Sequence, residues 1–565
     1  MRRLIALWLL ALTGCQPSSQ QPAATPTATH REQRLVSATS SDPKTFNSLL
    51  AVDPASATAV NDLFDGLVRL NPRSLEMEPM LAARWEYNAD GTVCTLHLRH
   101  DVRWHDGQPF TAADVVFTFD ATYDERVPNS MKDLLLVDGK RIQVEVVDDY
   151  TVHLTLPRPF APLINSLSQP ILPKHILGPS LADGTFAQQW GIDTPPERLI
   201  GTGPYRMVRY VPGQYIEYRR NQDYWMKDET GARLPYLEAQ TRRILPTQDT
   251  MYLNFLAAQT DVYSPRPEEI AELRTKANTL QIAVAELGLE TGSTFVSFNR
   301  NPRHYVKNGK TDPRLTWFAD PNFLRAIAHA IDKRSMIVEC LNGYGKPAVA
   351  EISPENKIYH NPNLTDYAYD LGEAKRLLAA GGYLDRDGDG VIEDHDGNPI
   401  EFSLNTNSGN QVREKICSIL KEDWTKLGMK VTFRPLDFSA LIERIDSTFD
   451  WDAILIGFTG TPDPNNSANL LRSSGNLHFW NPGQPKPATP WEAEIDSLLD
   501  QGSRELDVEK RRQCYCRIQA ILHEELPMIQ TVRQTQFVAY KSILQNFRPT
   551  VWGLYRPELI RVGEN

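Results

Sequence analysis

Between Cys94 and Arg99 apolar and polar residues alternate, Cys94, Leu96 and Leu98 against Thr95, His97 and Arg99, which is the period of a strand with one face buried. Turns flank it: Asn88-Ala89-Asp90-Gly91 on one side and His105-Asp106-Gly107 on the other, with a second short strand expected over Val102 to Trp104. Thr111 and Asp114 then stand at the spacing of a capping box, and Val115, Val116, Phe117 and Phe119 begin a helix. His105, Asp106 and Asp114 read as turn and cap chemistry rather than as metal or acid-base groups. Alternation predicts two strands over Ile142 to Leu156 around the Asp148-Asp149 turn, a hairpin within Leu199 to Trp225 turning at Pro212-Gly213, and a strand over Thr294 to Asn299. Ala59 to Val68 reads as a helix ended by Gly66.

Further along, Leu324, Ile327, Ala328, Ile331 and Ile337 recur at helical spacing, Asp332 caps a second helical segment, and Gly343 and Gly345 stop it. From Glu373 onward helix and strand alternate, as an α/β fold with a parallel or mixed sheet requires. Asp452 to Phe458 is the most apolar of these strands. Ligands of open α/β sheets lie off the carboxyl ends of such strands, which makes Phe458, Thr459, Gly460 and Thr461 the first candidates for ligand contact. Asn405, Thr406 and Asn407, after the neighbouring strand, are the second; Phe458 also reads as a core residue and Asn407 as an ordinary loop residue.

A chain of 565 residues is too long for one core and implies three or four domains or lobes. A net charge of −11 argues against a dedicated nucleic-acid binder. Arg2 and Arg3 followed by the apolar Leu4 to Leu12 form an export signal too short to span a bilayer, and Leu12-Thr13-Gly14-Cys15 resembles the lipobox of bacterial lipoproteins, with Cys15 as the lipid-bearing residue. Gln16 to Thr29 has no large apolar residue and reads as a tether. Five further cysteines leave at least one thiol free; Cys340 with Cys417 is the pair to consider for a disulfide, against small buried apolar roles for all five.

Asp385, Asp387, Asp389, Val391, Glu393 and Asp396 fall at positions of an EF-hand-type loop, with Gly390 at the sharp turn, so a structural calcium is one reading. An Asp/Gly-rich surface hairpin is the other, because Asp396 replaces the longer glutamate and a strand rather than a helix follows. No other cofactor is implied. The run Gly201 to Tyr205 lacks the Lys-Ser/Thr of a phosphate loop, His523-Glu524-Glu525 lacks the second histidine of a zinc peptidase, and no nucleophile elbow occurs, so enzymatic activity is not expected.

The series from Ala82 through Trp85-Glu86, Trp104-His105-Asp106-Gly107, Pro109-Phe110-Thr111-Ala112 to Phe117 resembles the signature of the family 5 extracellular solute-binding proteins, which deliver peptides and other solutes to ABC importers. Gly201-Thr202-Gly203-Pro204-Tyr205 and Phe323 to Pro347 are similar to further elements of that family. The resemblance implies a two-lobed periplasmic-binding-protein fold of type II, in its large form with an extra subdomain. Residues 1–14 are then signal peptide and 15–33 lipidated tether; 34–57, 191–293 and 481–565 form lobe I, 58–190 the extra subdomain, and 294–480 lobe II. It also implies an exported monomer, lipid-anchored on the periplasmic or cell-surface side, that captures a peptide or peptide-like solute for the importer's permease subunits. Peptide-binding members carry a W-x-x-D-x-x-D-P-like segment whose first acid takes the peptide's amino group. This chain has Phe458 and keeps Asp463-Pro464 but lacks that first acid. An oligosaccharide, an opine-like conjugate or a metal chelate therefore stands beside the peptide, and an exported hydrolase is the reading from another class.

Overall fold

The computed structural model describes residues 33–563, so the signal peptide, Cys15 and nearly all of the tether lie outside the described residues. The fold is a two-lobed α/β fold. In the first lobe Arg34–Thr39 lies parallel to Ala239–Ile244, and Tyr215–Arg220 and Tyr205–Val211 complete a four-stranded sheet. Beside it Val532–Lys541 pairs antiparallel with both Val262–Tyr263 and Ile282–Leu289.

The second lobe is built on a five-stranded mixed sheet in the order Lys430–Leu436, Glu401–Asn407, Ala453–Phe458, Ser293–Phe298, Ile529–Gln530. Its central strand is apolar at every position from Ala453 to Ile456 because both faces are covered. Ala453 and Leu455 join Phe298, Phe402 and Trp424 on one side, under the helices Pro321–His329 and Gln411–Lys426. Ile454 and Ile456 join Phe295 and Trp480 on the other, under Pro490–Arg504 and Val508–Glu525. Asp452, just before this strand, accepts from Ser403 N and Oγ (2.9 and 2.8 Å) and from Arg314 Nη1 (3.0 Å). Burial pushes its carboxyl up, but bonds from His304 and Ser403 and the Arg314 charge outweigh that and hold it at about 2.

A third core belongs to the antiparallel sheet Ala82–Tyr87, Val93–Leu98, Thr151–Thr155, Gln143–Asp148 and the helix Ala112–Tyr123. The expected capping box is there: Asp114 Oδ2 accepts from Thr111 N at 3.0 Å, while its other oxygen accepts from Lys174 N at 3.0 Å.

Several expectations need correction. Val102 to Trp104 is a loop closed by one bridge, Arg103 to Pro109, rather than a strand. The chain turns there because His105 is drawn inward: Nδ1 accepts from Gly201 N and Nε2 meets Gly203 O, both at 3.1 Å. His105 thus stands in the expected turn, closed by Gly107 N to Trp104 O at 2.8 Å, and its ring is in addition an anchor between segments; burial lowers its pKa to about 4, keeping the ring neutral. Gly201 is required at the other end of this contact, since a Cβ there would stand 1.8 Å from Leu63 O. The helix expected over Ala59 to Val68 is Pro54–Val60, started by Asp53, whose carboxylate accepts from Ser56 N; Val68–Leu70 is a strand.

The subdomain's core runs from Leu67 to Ile171 and adds Tyr224 to Leu234, whereas Ala59 to Phe64 and Leu172 to Trp190 pack in the first lobe, so 58–190 is too wide. Residues 481–565 do not return to the first lobe as one piece: the helices up to Glu525 and the strand Ile529–Gln530 belong to the second. Cys340 and Cys417 are buried free thiols, not a disulfide. No helix among the described residues is long and apolar enough to cross a membrane.

Candidate functional site

Two strand pairs carry the chain between the lobes. Ile282–Leu289 passes into Ser293–Phe298, and Ile529–Gln530 passes back into Val532–Lys541; the partners run antiparallel on both sides of the junction. Thr531 donates from N and Oγ1 to Thr294 O (3.0 and 2.8 Å), and Glu290 exchanges bonds with Gln534, N to O at 2.9 Å and Oε1 from N at 3.0 Å. Arg533, 1% exposed, points its guanidinium at main-chain carbonyls only: Ala350 and Glu351 from Nη2 at 2.7 Å, and Glu290 and Thr291 from Nη1 at 3.5 and 3.4 Å. Burial draws its pKa down to about 10, with the charges of Glu290 and Glu351 acting in the opposite direction.

The carboxyl end of Ala453–Phe458 abuts this junction. Gly460 packs so closely on the first crossing that a Cβ would stand 1.9 Å from Thr291 O. Around it two spaces adjoin, sharing Thr291, Ser293, Phe458 and Thr459. One is polar, offers about 330 Å³ to water, and adds Glu290, Arg413, Gly457, Gln536 and Val551. The other is more enclosed and mostly apolar, reaching Ile352, Leu470, Ile518, Met528, Trp552 and the carboxylate-bearing Glu351. Trp552 comes from the tail hairpin in the first lobe and donates its indole N–H to Glu355 O at 3.1 Å.

Of the residues singled out from sequence, Phe458, Thr459, Gly460 and Thr461 stand in the walls of these spaces. Phe458 is also partly core, stacked on Phe295 with centroids 5.8 Å apart. Asn405 and Thr406 are elsewhere: both are buried, with Asn405 Nδ2 bound to Arg434 O and Thr406 Oγ1 to Leu455 O. Parallel pairing on both sides of their strand turns these groups to neighbouring main chain. Asn407 Oδ1 accepts from Arg413 Nη1 at 2.8 Å.

Arg413 has no other side-chain hydrogen bond among the described residues, and burial lowers its pKa while the Glu290 charge opposes. Gly457 leaves room for it, since a Cβ would stand 2.8 Å from Nη2. Burial also raises Glu290, and pushes Glu351 up to about 7 against the Arg533 charge. Sequence reasoning missed Glu290, Glu351, Arg413, Gln536 and Trp552. The crossing at Glu290 adjoins the recognised Thr294 strand and was within reach; nothing local marks the others.

The retained acid of the 458–464 segment is already paired. Asp463 accepts from Arg511 Nη1 and Nη2 (2.9 and 2.7 Å), with both side chains under a tenth exposed, and Arg511 also holds Tyr359 Oη at 2.7 Å. Such a pair fixes the segment, and it leaves no carboxylate there for a ligand's amine.

In the acidic loop, oxygens of Asp385, Asp387, Asp389 and Glu393 lie within 4.8 Å of one another. Asp396 does not join them: it sits in the following turn, 3.5 Å from His395, because Asp394 takes Asp396 N and Asn398 N and folds that turn away. Val391 donates its N–H to Asp389 Oδ1 at 2.7 Å.

Residues 76–479 match the model of the bacterial extracellular solute-binding proteins, family 5 middle. A probable ABC transporter-binding protein of Deinococcus radiodurans is 26% identical over 527 residues, 89% of this chain and 87% of its own. The oligopeptide-binding protein AppA of Bacillus subtilis is 28% identical over 474 residues, 82% of this chain and 80% of its own. The structure of AppA in complex with a nonapeptide covers 94% of this chain and 99% of AppA, with 25% identity and a TM-score of 0.71. NikA from Brucella suis in complex with Fe(III)-EDTA shares the fold, with a TM-score of 0.77 at 23% identity over 94% of this chain and 100% of NikA.

The buried pair sets a stability prediction. Arg511→Met, which strands Asp463, lowers the unfolding free energy by about 3–5 kcal/mol in urea titrations, and adding Asp463→Asn restores most of it. An unaffected single variant contradicts the role given to the pair.

Proposed function

The chain belongs to the bacterial extracellular solute-binding proteins of family 5, and on that premise we propose that it captures a peptide or peptide-like solute between its lobes and hands it to the permease of an ABC importer. The observation that supports this most is the junction cleft. Its walls come from both lobes, and Arg413 and Glu351 face it without an ion-pair partner among the described residues. Unpaired half-buried charge is costly unless something from outside completes it, and a zwitterionic or hydrogen-bonding solute does so. A micromolar solute supplies about 8 kcal/mol, of which only the part specific to the closed arrangement favours closure. The work is capture, with no covalent bond broken.

AppA, by its name and its nonapeptide complex, supports the peptide as cargo. The pairing of Asp463 with Arg511 supports a second reading, a solute without a free amino group at that point, such as an oligosaccharide, an opine-like conjugate or a metal chelate. Attachment through a lipid on Cys15, and the monomeric state, belong to the same proposal. So does a structural calcium ion on the loop, with Asp385, Asp387, Asp389 and Glu393 as its carboxylates.

Thermal-shift screening of peptides, oligosaccharides and chelates separates the readings. Peptides raise the melting temperature of the wild type, and both Phe458→Ala and Arg413→Ala cut the rise by more than half; a response confined to sugars or chelates favours the second reading. For the loop, millimolar calcium raises the melting temperature and Asp387→Asn removes the effect, whereas a wild type indifferent to calcium and chelator ends that proposal.

A further inference from the structure

The enclosed arm beside Phe458 has a composition of its own. Ile352, Leu470, Leu471, Ile518 and Met528 give it an aliphatic wall, with Ser353, Asn356 and Ser467 as polar neighbours, and Trp552 lines it from the opposite lobe. Along this wall a stem of methylene groups loses water, which favours its entry. Charge enters the arm at Glu351. That residue also borders a neighbouring cavity with Lys333, Asp366 and His523, but Lys333 is committed elsewhere: its Nζ bonds Asp366 and the carbonyl of Ala348. Arg533 touches the main-chain oxygen of Glu351 and not its carboxylate. The carboxylate thus has no side-chain hydrogen bond or ion pair among the described residues, and Glu351 lines both this mostly apolar arm and the neighbouring cavity.

Resting on the reading of the cleft as a peptide site, we propose that this arm is a side-chain subsite for a residue with an apolar stem and a cationic tip, lysine or arginine in kind. Glu351 supplies the counter-charge at the tip, and Trp552 covers the stem and adds its ring face to the cation's surroundings. Asp463 is excluded from that role by Arg511, and Glu290 serves the polar space and accepts from Gln534 N. Burial of the Glu351 carboxyl, which pushes it up to about 7, is the cost a bound cation offsets.

The test uses the mature protein and alanine pentapeptides carrying lysine, norleucine or Nε-acetyl-lysine at each position in turn, with Kd measured by calorimetry. At one position lysine binds about tenfold more tightly than norleucine, and acetylation, which keeps the length and removes the charge, abolishes the gain. In Glu351→Gln, shown folded by its melting curve, the lysine and norleucine peptides bind alike. Equal binding of lysine and norleucine at every position by the wild type overturns the inference, as does a lysine preference that survives acetylation or Glu351→Gln. Failure of every pentapeptide to bind overturns the peptide reading itself and this subsite with it.

Discussion

The structure depends on the way two neighbouring strands leave one sheet and enter another without losing each other. Ile282–Leu289 and Val532–Lys541 are paired in the first lobe, and Ser293–Phe298 and Ile529–Gln530 are paired in the second. Between them only Glu290 to Gly292 and Thr531 are free of a ladder: Thr531 donates to Thr294 O, Glu290 exchanges bonds with Gln534, and the carbonyls of Glu290 and Thr291 accept from Arg533. A guanidinium that binds four main-chain carbonyls fixes where the chain bends and adds no carboxylate to the site. In the proposed capture, closure of one lobe over the other turns on these few residues.

That junction also places the site. The most apolar strand ends beside it, and the segment after Phe458 is held against the crossing by the closeness of Gly460 to Thr291 and by the Asp463–Arg511 pair. Electrostatics is divided accordingly. Charges that hold the segment are paired, and charges that face the cleft, on Arg413 and Glu351, are not. The former give rigidity and the latter give a ligand something to complete.

Much of the fold was legible where a local rule and the tertiary environment agree. The Thr111–Asp114 box, the alternation of Cys94, Leu96 and Leu98, and the helix cap at Asp332 are formed as their spacing implies. Where a long-range contact decides, local rules misplace the element. His105 is pulled in by Gly201 and Gly203 and prevents a strand at Trp104; residues after Val60 are committed to the close approach at Gly201 and cannot stay helical. The strand-end rule leads to Phe458, Thr459, Gly460 and Thr461, which line the cleft, whereas Asn405 and Thr406 lie inside a strand paired on both sides, with Asn405 Nδ2 and the Thr406 hydroxyl bonded to neighbouring carbonyls. Glu351, Arg413 and Trp552 lie far apart in sequence, and only the crossing brings them to one cleft.

The central claim is that the two lobes shut over a dissolved ligand about the crossing between Leu289 and Ser293 and between Gln530 and Val532. Small-angle scattering of the mature protein, with and without a saturating ligand identified by thermal shift, tests it most directly. The account predicts a smaller radius of gyration in the liganded sample; superimposable curves with a ligand proven bound contradict it.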